Sequence, residues 1–148
     1  AENVVRILRS VTFSSGPEDD STYPYWLALL RSVSGYQSFR KHYADNFTME
    51  PIMEFLISNR AFPRSVQYAI SHLEEHIRRI DPGDHGHDAM RNKIIRMAVK
   101  LRADIACLER EDFAACKIDE QLAGISQSCM KIGALIAESL FRREEATA

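Results

Sequence analysis

An excess of charge of either sign is missing from this chain of 148 residues: 19 Lys and Arg stand against 21 Asp and Glu, a formal net charge of -2. A chain so balanced lacks the broad positive field expected of a protein whose main partner is DNA or RNA. Long apolar runs are missing as well. No uncharged stretch approaches the ~18–20 residues that cross a bilayer, and no basic start followed by an apolar stretch marks an export signal. The expectation is a cytoplasmic protein outside the membrane. Cysteine is scarce: Cys107, Cys116 and Cys129 are odd in number and form no CxxC pair, so they read as reduced thiols rather than a disulfide framework or zinc site. Glycine and proline, six and five in number, fall mostly between apolar-periodic segments and leave the interiors free to be helical. There is no GxSxG elbow, no phosphate-cradling glycine loop and no βαβ alternation of the kind that builds a nucleotide-binding sheet.

What is present is helical periodicity. The spacing predicts an all-α fold, a helical bundle of about six to seven helices with two long antiparallel C-terminal helices, in one domain spanning 1–148. Val4, Ile7 or Leu8, and Val11 start the pattern, without a capping residue before them. The polar stretch Ser14 to Thr22 reads as a solvated loop. Trp26, Leu29, Leu30 and Val33 follow, with Gly35 placed to end their helix in a left-handed conformation. A short helix from Tyr36 to about Tyr43 comes next, then one capped by Thr48 with Pro51 in its first turn and Met49, Ile52, Met53 and Leu56 inward. From Pro63, read as a first-turn proline, Val66, Ala69, Ile70, Leu73, Ile77 and Ile80 trace a stripe that Asp81-Pro82-Gly83 stops. Asp84 to Asp88 reads as a second polar loop whose Asp88 caps a helix carrying Met90, Ile94, Met97, Ala98, Leu101, Ile105 and Leu108. After a break between Glu111 and Lys117, Ile118, Leu122, Ile125, Cys129, Ile132, Ile136 and Leu140 alternate by 4 and 3, a spacing suited to a partner helix at a shallow angle. Gly124 and Gly133 within that stripe imply close helix contact, and Arg142 to Ala148 should fray.

Chemistry-bearing patterns are few. His72-Leu73-Glu74-Glu75-His76 matches HxxEH, in which two histidines one turn apart reach a zinc ion and a glutamate polarises its water. A metal-dependent hydrolase built on His72, Glu75 and His76 is therefore one reading, with His85 or His87 available as a further ligand. On a helical wheel, though, His76 flanks the apolar stripe and His72 lies toward solvent, while Glu74 and Glu75 form an exposed acidic pair facing Arg78 and Arg79. Ordinary surface residues account for the motif, and no catalytic residue, metal or cofactor is assigned. Arg91, Lys93, Arg96, Lys100 and Arg102 make the next helix locally basic. Without interleaved aromatics they read as a solvated face.

The stretch from Tyr25-Trp26-Leu27-Ala28-Leu29-Leu30-Arg31-Ser32-Val33-Ser34-Gly35-Tyr36 through Phe39-Arg40 and Tyr43 resembles the WxxLLRSVSxYxxYRxxY run of the bacterial alpha-E family. Glu54-Phe55-Leu56 and Arg60-Ala61-Phe62-Pro63-Arg64-Ser65-Val66 resemble that family's EFLLLDREFPRSV segment. The resemblance implies an all-helical domain of undefined biochemical activity, encoded beside ATP-grasp and transglutaminase-like proteins in a peptide-modifying or peptide-synthesising system. It has no metal motif after FPRSV. The opening Ala1-Glu2-Asn3 resembles the residues that follow the family's Glu-Arg pair, so the chain is expected to be the C-terminal half of a longer protein. Arg31, Arg60 and Arg64, with Tyr36, match motif positions and are the candidate binding residues. Their competing explanation is structural: arginine forks satisfy helix C-terminal carbonyls and buried carboxylates such as Glu54. The expected role is a non-catalytic accessory or interaction partner, or else a general helical interaction module. Self-association through the first helix, around Val4, Leu8 and Val11, is expected if an upstream helix is absent.

Overall fold

The computed structural model describes residues 1–14, 23–80 and 85–147. Among them are seven α-helices: α1 (Glu2–Ser14), α2 (Tyr23–Ser32), α3 (Tyr36–Tyr43), α4 (Met49–Ser58), α5 (Val66–Arg79), α6 (His85–Ala106) and α7 (Ala115–Thr147). A 3-10 turn, Arg110–Phe113, separates the last two, and no strand occurs among the described residues. The polar stretch 15–22 and the expected stop at Asp81-Pro82-Gly83 lie outside the described residues.

The three apolar stripes read from the sequence become one layer. Ile70 and Ile77 of α5, Ile94, Ala98, Leu101 and Ile105 of α6, and Ile118, Leu122, Ile125, Cys129 and Ile132 of α7 are all buried. Here α6 packs against α5 on one side and α7 on the other, and α7 turns back along it. The last stripe position, Leu140, is outside the described side chains. Val4, Val5 and Leu8 of α1 close the layer against α7. Each fully buried Leu, Ile or Phe is worth roughly 1.5–3 kcal/mol over an exposed one, so the face of α1 expected to hold a second chain is instead spent inside this one. Ile7, 37% exposed, points out.

The layer is also clamped by charge. Glu74 is buried, accepting from Arg78 Nη2 at 2.9 Å within α5 and from Arg102 Nε at 2.9 Å across on α6. The exposed acidic pair expected from the sequence is therefore half wrong: Glu75 is the solvent-facing member, paired with Arg79. Arg91 of α6 donates from Nε to the Ile77 carbonyl at 3.0 Å and from Nη2 to the Arg78 carbonyl at 2.6 Å. It thereby satisfies carbonyls that the end of α5 leaves without helical partners.

Several helix ends differ from expectation for local reasons. It is Ser34, not Gly35, that takes the left-handed conformation after α2, at φ 53. Its N–H reaches the Arg31 carbonyl and that of Gly35 reaches Leu30 at 2.7 Å, a pair of bonds that closes the helix one residue earlier than a glycine at the left-handed position would. Thr48 stands at the start of α4, but its hydroxyl donates to Asn46 Oδ1 and leaves the helix N–H groups alone. Pro63 is not in the first turn of α5: Ser65 caps that helix, its Oγ accepting from the Tyr68 N–H at 3.1 Å. The helix expected to begin at Asp88 begins at His85, with Asp88 in its first turn, and α7 continues through Thr147 where fraying was expected. Gly124 and Gly133 face open space, since a Cβ built on either meets nothing within 4 Å. They do not mark close helix contact.

Candidate functional site

The resembling segments meet at one corner of the bundle. On α3, α4 and the turn between them the rings meet: Phe39 stacks on Tyr43 at 4.9 Å, lies tilted to Phe47 at 5.5 Å and meets Phe55 edge-on at 5.4 Å, centroid to centroid. Phe47 stacks on Tyr36 at 5.7 Å, and Phe55 stacks on Phe62 at 4.6 Å. An unbroken path of rings thus leads from Tyr36 to Phe62. Gly35 permits it, because a Cβ there would come within 3.2 Å of ring atoms of both Phe55 and Phe62.

Cations sit at both ends of that path. The guanidiniums of Arg31 and Arg40 each lie 5.7 Å from the Tyr36 ring centroid, within cation–π range. Arg40 is also paired with Asp45 at 3.3 Å. At the other end Arg60 and Arg64 stand two residues to either side of buried Phe62, and both are exposed. The loop bearing them is held by side chains that bond to its own backbone. Asn59 Oδ1 accepts from the N–H groups of Ala61 and Phe62, each at 2.8 Å, the Ser65 hydroxyl donates back to the Asn59 carbonyl, and the Ser65 N–H reaches the Phe62 carbonyl at 3.0 Å. The buried side-chain oxygens without a hydrogen-bond partner among the described residues, Ser58 Oγ and Gln67 Oε1, flank this same loop.

Several arginines outside the motif segments do structural work. Arg91 closes the end of α5, and Arg78 and Arg102 neutralise buried Glu74. Glu54 engages Tyr43, not an arginine: burial first, then the charge of Glu54 and a hydrogen bond to it, raise the Tyr43 phenol above its ordinary value against a smaller lowering by Arg110. The guanidiniums of Arg31, Arg60 and Arg64 form no ion pair or hydrogen bond among the described residues. Arg40, also within the motif, lies one turn after Tyr36 on α3, the spacing that brings its side chain beside the ring.

The HxxEH residues do not converge on a common centre. The ring of His72, half-buried, lies 4.1 Å from that of Tyr68 and 6.2 Å from that of His76, and its Nδ1 is 3.6 Å from Glu75. Glu75 is held by Arg79 at 2.5 Å. The wheel reading is reversed, with His76 the exposed member. No group of three metal-ligating side chains occurs among the described residues, and the side chains of His85 and His87 lie outside them. An open groove of about 450 Å³ on α1, lined by Asn3, Arg6, Ile7 and Ser10, lies outside the motif segments and holds no nucleophile–base pair.

A family model described as a predicted alpha-helical domain with a conserved ER motif matches residues 1–141. The chain belongs to the Alpha-E family. No curated protein and no solved structure matches it. This Alpha-E chain contains one Glu-Arg dipeptide, Glu109–Arg110. It lies at the 3-10 turn, where Asp112 accepts from the Glu109 N–H at 3.0 Å and Arg110 lies 3.8 Å from Glu50. No helix among the described residues is long and apolar enough to cross a membrane.

Proposed function

We propose that this Alpha-E domain is a non-catalytic accessory or interaction module of a peptide-modification system, with ATP-grasp and transglutaminase-like proteins as its partners. The contact surface is the corner bearing Arg31, Tyr36, Arg60 and Arg64. One observation carries this reading: among the described residues Arg31, Arg60 and Arg64, at motif positions, are free of the structural duties that Arg78, Arg91 and Arg102 perform. Exposed residues released from packing and presented on a stiff loop are the usual material of a binding surface. Partner identity rests on the family resemblance alone.

Photo-crosslinking in the native cell tests it. A crosslinking residue at position 60 of the full-length protein should trap an ATP-grasp or transglutaminase-like protein, while one at position 100, an exposed Lys on α6, should not. Capture of the same proteins from both positions, or of neither from position 60, overturns the assignment.

A further inference from the structure

We infer that the arginine corner binds acidic peptide segments, taking their carboxylates on Arg31, Arg60 and Arg64. This rests on the reading of the corner as a contact surface and specifies what it contacts. The chain as a whole is slightly acidic, and most of its described arginines are matched to a carboxylate or a carbonyl. Among the described residues the guanidiniums without such a match are those of Arg6, Arg31, Arg60, Arg64 and Arg96, and three of these five flank the contact between Gly35 and the Phe62 ring that joins the end of α2 to the loop after α4. Guanidinium presents a planar fork of donors that meets a carboxylate with two parallel hydrogen bonds.

The support beneath them is stiff. Asn59 and Ser65 fix the loop by hydrogen bonds, and Phe62 is anchored on Phe55 between the two arginines. Binding there orders little that is not already ordered, which lowers its entropic cost. A nucleic acid is the rival ligand. Single-strand binding needs an aromatic face free for a base; Tyr36 is stacked on Phe47 and flanked by the Arg31 and Arg40 guanidiniums, while the exposed rings beside it are Tyr23 and Tyr25 of α2, without an arginine over either among the described residues. Cations carried on two separate segments suit side-chain carboxylates spaced along an extended peptide.

Fluorescence anisotropy on the full chain distinguishes the cases, with a fluorescein-labelled Glu-Gly repeat peptide, its Gln-Gly counterpart and labelled oligothymidylate as probes. The Glu-Gly peptide should bind and the Gln-Gly peptide should not, with affinity falling as salt rises. Combined Arg31→Gln, Arg60→Gln and Arg64→Gln should weaken binding about tenfold or more. Combined Arg6→Gln, Arg96→Gln and Lys100→Gln, which remove the same charge from other exposed sites, should change it less than about twofold. Circular dichroism confirms that both variants stay folded. No binding of the Glu-Gly peptide, equal loss in the two variants, or oligothymidylate binding as tightly and lost with the corner arginines each overturns the inference. If position 60 still crosslinks the expected proteins while no acidic peptide binds, the ligand chemistry falls and the contact surface stands.

Discussion

In the layer built from α1, α5, α6 and α7, one helical stripe of aliphatic side chains meets another, and a single buried ring, Phe113, comes from the 3-10 turn that joins α6 to α7 and packs on α4 and α7. In the corner built from α2, α3, α4 and the loop after it, the helices span only 8 to 10 residues, and rings bind the connections themselves: Phe47 follows α3 and Phe62 follows α4. Short helices are marginal on their own. Packing large rings between them supplies area that a short stripe lacks, and it also fixes the loops that carry exposed arginines. The layer gives the domain its bulk and the corner gives it a defined surface.

The sharpest way to break this contrast is to empty each region in turn. Phe55→Ala removes the ring that contacts Phe39, Tyr43 and Phe62, and should cost about 3–5 kcal/mol by urea unfolding. It should also flatten the near-ultraviolet circular dichroism that ordered rings produce. Leu122→Ala, at an equally buried site of α7, should cost about 2–5 kcal/mol with the aromatic signal of the folded protein preserved. A Phe55→Ala protein that keeps both its stability and its aromatic signal would show that the ring path is not what holds the corner.

Two glycine substitutions should act with opposite sign. Gly35→Ala pushes a methyl group against Phe55 and Phe62 and should destabilise by about 1–3 kcal/mol, the usual penalty of overpacking. Gly133→Ala, exposed in mid-helix with open space around it, should stabilise by about 0.5–1 kcal/mol through the unfolded chain's lost freedom. Equal effects in melting experiments would refute the difference drawn between the two regions.

The smallest effect concerns pH. Because the Tyr43 phenol is raised above 10.0 by burial and by Glu54, the folded state holds that proton more tightly than the unfolded state does. Its contribution to stability is complete below pH 10.0 and is lost as pH rises through the folded value. Tyr43→Phe should accordingly show a shallower loss of stability above pH 10.0 than the parent chain. Identical slopes in urea titrations would mean that the phenol is not under that influence.

The long helices were readable from sequence because a period near 3.6 repeated over many turns leaves little freedom of interpretation, as the buried series from Ile118 to Ile132 illustrates. Their ends were less readable. Ser65 displaced Pro63 as the start signal of α5 because its hydroxyl serves both the cap and the loop behind it, a double use invisible in a linear pattern. Ser34 displaced Gly35 because a ring from α4 and another from the following loop occupy the space beside Gly35, so that glycine answers to crowding from distant residues. Glu74 was misplaced for a similar reason, since its burial depends on Arg102, 28 residues away. The motif arginines could be named from the sequence. Their freedom from structural work became visible only once the partners of the other arginines were known.

The clasp by which Arg91 grips the end of α5, and Glu74 further along, tie α5 to α6 by side chains that reach from one helix to the other. The stretch from Asn59 to Ser65 is tied differently, through a closed set of hydrogen bonds within the loop itself. Loop closure grows slowly with length, by about 0.6 kcal/mol per doubling, so chain entropy alone would tolerate an insertion there. The bonds would not, because every added residue would have to be fitted among them. That connection is held to its length by what it binds and not by the cost of closing it.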